Sequence, residues 1–450
     1  MNAYPKPAIH LISLGCAKNL VDSEVMLGAL LKAGHAIVND PSEADVIIVN
    51  TCGFIDRARK ESIDAILRAG QSAGQQRKMI IAGCLAQRYA RELAAEIPEA
   101  SAIIGVNEVP RIHEIVAEIR GSESGRPLNR VSRRPSYLYD FRVPRLQLTP
   151  SHYAYLKIAE GCDHPCAFCS IPVIRGRYRS RTVDDVVREA RALLRQGVRE
   201  LLLISQDTTC YGRDLGQLDA LPALLRRLDA VEGDFWIRLL YTHPAHWTPA
   251  LIEAMKEHRK VCRYVDIPLQ HAHDDVLKRM RRTPGLDGMR DLLRDIRAAI
   301  PEVSVRTAFI VGFPGETAAQ FRTLLDFVEE QQFDHLGAFE YSREEDTPAG
   351  RMTGQIPPKI RRERLARLMA LQQTISARRL ASRVGQKMRV LVDGKTGRTE
   401  FQAPEVDGHV ILKGCGWKTG QFANVCVKQA GVYDLVAVGD CHPAGVLSIC

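Results

Sequence analysis

At 450 residues the chain is too long for one ordinary hydrophobic core, and about two to four domains are expected. A hydrophobic content of 45% with 26% charged residues is that of a globular protein and excludes a disordered or fibrous one. No apolar run reaches the roughly 18 residues of a membrane span, and the first residues lack the basic-then-apolar pattern of a secretory signal, so no membrane contact and a cytoplasmic location are expected.

Residues 8–120 alternate short apolar runs, at 9–14, 46–50, 79–82 and 102–104, with helix-like stretches such as 23–32 and 57–69. That alternation predicts an α/β unit with a parallel sheet and covering helices. Each of the first three runs ends on a cysteine: Cys16, Cys52 and Cys84. Open α/β sheets bind ligands just beyond the carboxyl ends of their strands, so these three thiols can converge on one crevice. Each alone reads first as a packed thiol, and it is the three at equivalent strand ends that favour a cluster site.

Residues 121–150 are polar, basic and punctuated by proline, as a linker is. From 151 to about 350 the strand–helix alternation resumes, with strands predicted at 153–159, 200–205, 236–241, 264–268, 304–311 and 336–341. Six βα units are fewer than the eight of a closed barrel, so a partial barrel is predicted, with an open side able to admit a large substrate. Residues 359–384 read as a long basic helix. The last segment, 385–450, changes to short β-type runs between glycines and predicts a small antiparallel barrel. With 7 basic against 6 acidic residues, it has little charge for holding nucleic acid.

The densest chemistry lies at Cys162, Cys166 and Cys169, in a loop directly after the first barrel strand. A tetrahedral zinc site takes four ligands, usually as two close pairs, and no fourth ligand follows here at such an offset. Three thiolates can hold three corners of a four-iron cluster and leave one iron open to a ligand. Spacing alone also allows buried thiols or a zinc site completed from elsewhere.

The Cys-x3-Cys-x2-Cys loop resembles that of the radical S-adenosylmethionine (SAM) enzymes. Across residues 8–440 the chain is similar to their methylthiotransferase subfamily. The stretches SLGCAKNLVDSE from Ser13, EGCDHPCAFCSIP from Glu160, SQDTTCYG from Ser205, RLLYTHPAH from Arg238 and YVDIPLQHA from Tyr264 resemble the branch that modifies an aspartate of ribosomal protein uS12.

The resemblance implies a flavodoxin-like N-terminal domain (1–120), a basic linker (121–150), a partial (βα)6 radical SAM barrel with a trailing helix (151–384) and a TRAM domain (385–450). It implies two [4Fe-4S] clusters, an auxiliary one on Cys16, Cys52 and Cys84 and a radical one on Cys162, Cys166 and Cys169. Phe168, Gln206, Asp207, Gly312 and Gly315 are expected to contact SAM. The expected reaction is methylthiolation of the aspartate β-carbon, the expected partners are uS12, free or on the ribosome, and a flavodoxin-like or ferredoxin-like electron donor, and the expected state is a monomer. A tRNA adenosine methylthiotransferase and a non-catalytic ribosome-associated iron–sulfur protein are the competing readings. His243, His246 and His271 are read first as structural histidines, and Cys210, Cys262, Cys415 and Cys426 as structural thiols. No role is assigned to the tail with Cys441 and Cys450.

Overall fold

The computed structural model describes residues 6–73, 77–121, 126–414 and 416–439, so Cys415 and the tail with Cys441 and Cys450 lie outside the described residues. No described helix is long and apolar enough to cross a membrane.

The N-terminal unit is a parallel sheet of β1 (Ile9–Ser13), β2 (Val46–Thr51), β3 (Lys78–Gly83), β4 (Ala102–Ile104) and β5 (Leu128–Arg130), paired in that order. Its helices are α1 (Ala17–Lys32), α2 (Asp56–Ala73), α3 (Cys84–Arg88), α4 (Ala90–Glu96) and α5 (Ile112–Arg120). A bridge from Ile37 to Ile9 adds a further parallel pairing outside β1. Counted as a strand, it gives the order second, first, third, fourth, fifth, sixth, which is the flavodoxin-like order with one strand added at the far edge. The helices cover both faces, which is why β2 is buried at every residue and reads as a continuous apolar run. Strand β5 falls inside the stretch expected to be a linker. Three residues, Leu-Asn-Arg, are too few and too polar to show alternation.

The second unit is a partial barrel. Its parallel strands are β6 (Tyr153–Lys157), β9 (Glu200–Ile204), β10 (Trp236–Leu239), β11 (Tyr264–Asp266), β12 (Ser304–Val311) and β13 (His335–Glu340). A short antiparallel pair, β7 (Ala159–Glu160) with β8 (Arg179–Ser180), closes off the cysteine loop between them. Helices α6 (Ile171–Arg175), α7 (Val183–Arg195), α8 (Ala220–Asp229), α9 (Pro249–Glu257), α10 (Asp274–Met280), α11 (Leu286–Ala299) and α12 (Ala318–Gln331) follow in order, and α13 (Pro358–Ala381) leads out of the barrel. The largest core cluster lies between the outer strand faces and these helices, with Leu201, Leu203, Ile237, Val305 and Phe309 on the strands.

The open seam between β6 and β13 does not stand free, contrary to the expectation of an open substrate entrance. The N-terminal unit crosses it. On one side Asp22 of α1 receives Lys157 of β6 at 2.6 Å and the guanidinium of Arg175. On the other, Arg88 pairs with Glu344 at 2.8 Å and with Asp346, and Arg59 pairs with Glu344. Complementary charges separated by up to about 285 positions leave no mark on local sequence pattern.

The C-terminal strands β14 (Lys387–Asp393), β15 (Thr396–Thr399), β16 (Val410–Lys413), β17 (Phe422–Ala430) and β18 (Leu435–Gly439) form a closed five-stranded barrel, antiparallel as expected except where β16 and β18 run parallel to close it. The segment between β15 and β16 enters the inner side of the large barrel from the amino ends of its strands. Glu405 accepts from the hydroxyls of Tyr153 at 2.9 Å and Tyr155 at 3.0 Å, and Asp407 from that of Tyr264 at 2.6 Å. Glu200 pairs with Arg238 at 2.7 Å and Arg398 at 2.6 Å, so one buried carboxylate joins the two barrels.

Breaking a buried ion pair from one side costs about 3–5 kcal/mol because it strands the other charge. Asp22→Ala is therefore expected to lower the free energy of unfolding in urea by about that amount. A change under about 0.5 kcal/mol, the scatter of surface substitutions, would show that the network does not hold the units together.

The same network sets an acid limit. Burial raises the pKa of Glu160, but Lys157 and Arg175 outweigh it and bring the carboxyl from an ordinary 4.5 to about 2. Because the folded value is the lower one, the stabilisation is complete above pH 4.5 and disappears as the pH falls through 4.5 towards 2. Acid titration of stability is expected to be shallower across that window in Glu160→Gln. Parallel acid limbs for the two proteins would refute the assignment.

Candidate metal centre

Cys16 follows β1, Cys52 follows β2 and Cys84 opens α3 directly after β3, so three thiols stand at the carboxyl ends of adjacent strands. Gly15 makes the approach possible. It has φ +94°, and a Cβ there would lie 2.7 Å from Cys52 Cβ. The Arg175 guanidinium donates to Cys84 Sγ at 3.1 Å. Burial pushes the Cys84 thiol up to about 12 against the pull of Arg175. For Cys16 desolvation opposes ionisation, but Lys18 and Arg175 together bring it below the ordinary thiol value. Cys52 is raised, mainly by burial. The three lie within electrostatic reach of one another and of Arg175, a cationic setting that suits thiolate ligands.

The second triplet, Cys162, Cys166 and Cys169, occupies the loop closed by β7 and β8. Gly161, at φ +84°, lets that loop pass the chain at Arg177, where a Cβ would lie 2.1 Å from the carbonyl oxygen. Every thiol here faces an N–H donor. His164 N lies 3.5 Å from Cys162 Sγ, Ile171 N 3.5 Å from Cys169 Sγ, and Arg282 Nη1 3.8 Å from Cys166 Sγ. Such donors around sulfur are what tune an iron–sulfur cluster, so this donor set fits one. Burial raises Cys162 to about 12 and Cys169 further still. The triplets are linked through α6, which begins two residues after Cys169 and ends on Arg175.

Gln206 and Asp207 follow β9, beside this loop. Gln206 Nε2 is held by Glu160, while its Oε1 is buried with no hydrogen-bond partner among the described residues. That orphan acceptor calls for a donor from a ligand. Asp207 is fully engaged by the protein. Its Oδ1 accepts from Thr209 N at 2.9 Å and Cys210 N at 3.2 Å, and its Oδ2 lies 2.7 Å from His164 Nε2 and 2.8 Å from His246 Nδ1. Burial works against its charge, yet the two histidine hydrogen bonds hold Asp207 well below the usual carboxylate range.

With His243, these residues place four possible ligand atoms within 4.8 Å of one another. The rings, however, are stacked. His164 lies 4.0 Å from His243 at 8° and 4.8 Å from His246 at 26°. Lone pairs in parallel ring planes do not meet at one ion. His243 Nδ1 also accepts from Ala245 N at 3.2 Å, which leaves the proton on Nε2. The group is a hydrogen-bonded brace behind the cysteine loop.

Phe168 packs partly buried against Val276, Met280, Phe313 and Tyr341. Gly312 N donates to Glu316 Oε2 at 2.8 Å and Gly315 N to the carbonyl of Gly354 at 2.8 Å, so both amides are used within the fold. His271 is buried 3.6 Å from Glu316. Cys262 is buried, Cys210 lies 3.0 Å from His246 Nδ1, and Cys426 sits on β17.

Two residues escaped the sequence reading. Arg175 joins the triplets, and its partners Asp22 and Cys84 are 153 and 91 positions away. Lys18 lies two residues after Cys16 and is buried with Asn19 in the first turn of α1, and a lysine at that position was the available signal.

Family comparisons agree with this layout. Residues 8–105 match the model described as "Uncharacterized protein family UPF0004", residues 156–328 the "Radical SAM superfamily" and residues 384–438 the "TRAM domain". Among solved structures, the radical SAM methyltransferase TsrM from Kitasatospora setae superposes with a TM-score of 0.55 at 16% identity, over 76% of this chain and 75% of that one. The cobalamin-dependent radical enzyme OxsB reaches 0.53 at 13% identity over 82% of this chain and 57% of that one. These two likenesses concern the fold. A protein of Heliobacterium modesticaldum named "Ribosomal protein uS12 methylthiotransferase RimO" is 48% identical over 95% of this chain and 94% of its own length. A protein of the same name from Opitutus terrae is 48% identical over 96% of both chains. Identity at that level across all three units places the chain in the RimO family of methylthiotransferases, within the radical SAM superfamily.

Proposed function

We propose that this chain is a methylthiotransferase acting on the β-carbon of an aspartate in ribosomal protein uS12. The observation that carries the reading is the pair of thiol triplets at strand ends of two units, joined by the segment from Cys169 to Arg175. Cys16, Cys52 and Cys84 would hold the auxiliary [4Fe-4S] cluster, and Cys162, Cys166 and Cys169 the radical one, each with an iron left open. When bound, clusters and SAM supply the one-electron chemistry that an unactivated C–H bond requires.

The protein's own residues then bind, orient and enclose. The orphan Gln206 Oε1 suits the amino group of SAM. Phe168 and the turn with Gly312 and Gly315 are assigned to the adenine side. Asp207 and its histidines brace the cysteine loop. Arg175 and the Asp22 network keep the sulfur-donor side registered to the radical side, since misplacement by about 1 Å can cost a hundredfold in rate. We assign residues 1–120, 151–384 and 385–450 to the auxiliary-cluster, radical SAM and TRAM domains, joined by residues 121–150, which also lend β5 to the first sheet, with a small flavodoxin or ferredoxin as reductant and a monomeric state.

Anaerobic reconstitution is expected to load about eight irons per chain, two four-iron clusters' worth. Alanine at Cys162, Cys166 and Cys169 together should remove about half of that iron. Complete loss from a folded variant, or none, refutes the two-site assignment.

The roles should separate in turnover. Cys52→Ala is expected to retain reductive cleavage of SAM while losing methylthiolated uS12, and Cys162→Ala to lose both. Mass measurement of uS12 and nucleoside analysis of tRNA after incubation with SAM and reductant decide the substrate. Methylthioadenosine in tRNA with the mass of uS12 unchanged would overturn the proposed function.

A further inference from the structure

Lys18 lies in the first turn of α1, two residues beyond Cys16, and is 9% exposed. Its ammonium forms no hydrogen bond and no ion pair among the described residues, and it lies over the face of the Tyr241 ring, 3.1 Å from the centroid. Tyr241 stands just past the carboxyl end of β10 with φ +60°, held there by its own N–H donating to Asp266 Oδ2 at 2.9 Å. Glu160 and Asp266 stand near Lys18 without bonding to it. The ammonium is thus set between the first thiol triplet and the mouth of the barrel.

A buried ammonium offers three donors, and a ring face satisfies none of them as a hydrogen-bond acceptor does. Leaving such a group without an acceptor is costly unless a ligand completes it. Three neighbouring cations are already committed: Lys157 to Asp22 and Glu160, Arg175 to Asp22 and Cys84, and Arg306 to Asp266 and Asp407. Among these four cations, Lys18 alone has its donors free.

We infer that Lys18 binds the side-chain carboxylate of the target residue and so presents the carbon next to that carboxylate to the sulfur side of the site. The inference rests on the proposed function, in which the target is an aspartate. In aspartate the reacting β-carbon is bonded directly to the carboxyl carbon, so a carboxylate held by Lys18 fixes that carbon one bond from a clamped group. Its nearness to Cys16 puts the clamp on the unit that carries the sulfur donor. A second carboxylate, that of SAM, shares this chemistry, and the test separates the two.

The measurement is the affinity of cluster-loaded chain, without reductant, for uS12 and for uS12 with asparagine at the target position. Native chain is expected to bind the asparagine form about tenfold or more weakly, the worth of a charge-assisted hydrogen bond. Lys18→Met should bind both forms equally, at the weaker level, with iron content and SAM affinity unchanged, and Lys18→Arg should recover part of the discrimination. Discrimination that survives in Lys18→Met overturns the inference, as does loss of SAM affinity or of iron with discrimination intact. Should Lys18→Met not fold, native chain alone decides, because equal binding of the two forms is also fatal. Failure of the proposed function would be seen separately, as modification of tRNA in place of uS12 in turnover.

Discussion

Two units that share a buried apolar cluster, running from β1 and α1 to the inner face of the barrel strands, must also be held in one register if thiols on the first are to work with thiols on the second. The carboxylate of Asp22 does most of this. It is buried on α1 and takes Lys157 from the first barrel strand and Arg175 from the helix after the cysteine loop. Glu160 completes the square by accepting from Lys157 at 2.7 Å. Two carboxylates and two cations, all enclosed, leave no single charge unmatched, which is the condition for keeping such a group buried. Two further features of the site depend on this joint. Arg175 reaches Cys84 from it, and Glu160 orients Gln206 from it.

The strand ends were legible because the relevant patterns are local. Runs such as Val-Ile-Ile-Val in β2 have the length and branching of a buried strand, and a cysteine directly after each run needs no further information to be placed. The barrel helices were legible for a similar reason, since α11 and α12 carry apolar residues at helical spacing and α12 opens on a capping box between Thr317 and Gln320. Short elements were not. β15 and α10 have too few residues for a period to emerge, and β5 has a single apolar residue, Leu128.

The site was legible in its thiols and opaque in its supports. Cysteine spacing advertises chemistry, whereas Asp207 gives no sign in sequence that its carboxylate is spent on two histidines and two backbone amides. The same holds for the glycines of the turn after β12, where the amide of Gly312 serves Glu316, itself paired with Arg364 of α13 at 2.7 Å. Such roles depend on which distant segment happens to arrive, and a single chain read alone does not contain that information.

The segment between β15 and β16 has a bearing on how such chains can be recombined. Glu405 and Asp407 satisfy three tyrosine hydroxyls on the inner face of the large barrel, and the carbonyl of Glu400 accepts from the fully buried Arg238 at 2.7 Å. A foreign C-terminal barrel lacking those acceptors would leave the tyrosines and the arginine to water or to nothing. The heritable module is therefore not the small barrel alone but that barrel together with the polar floor it completes, and a functional graft must carry both halves of the contact.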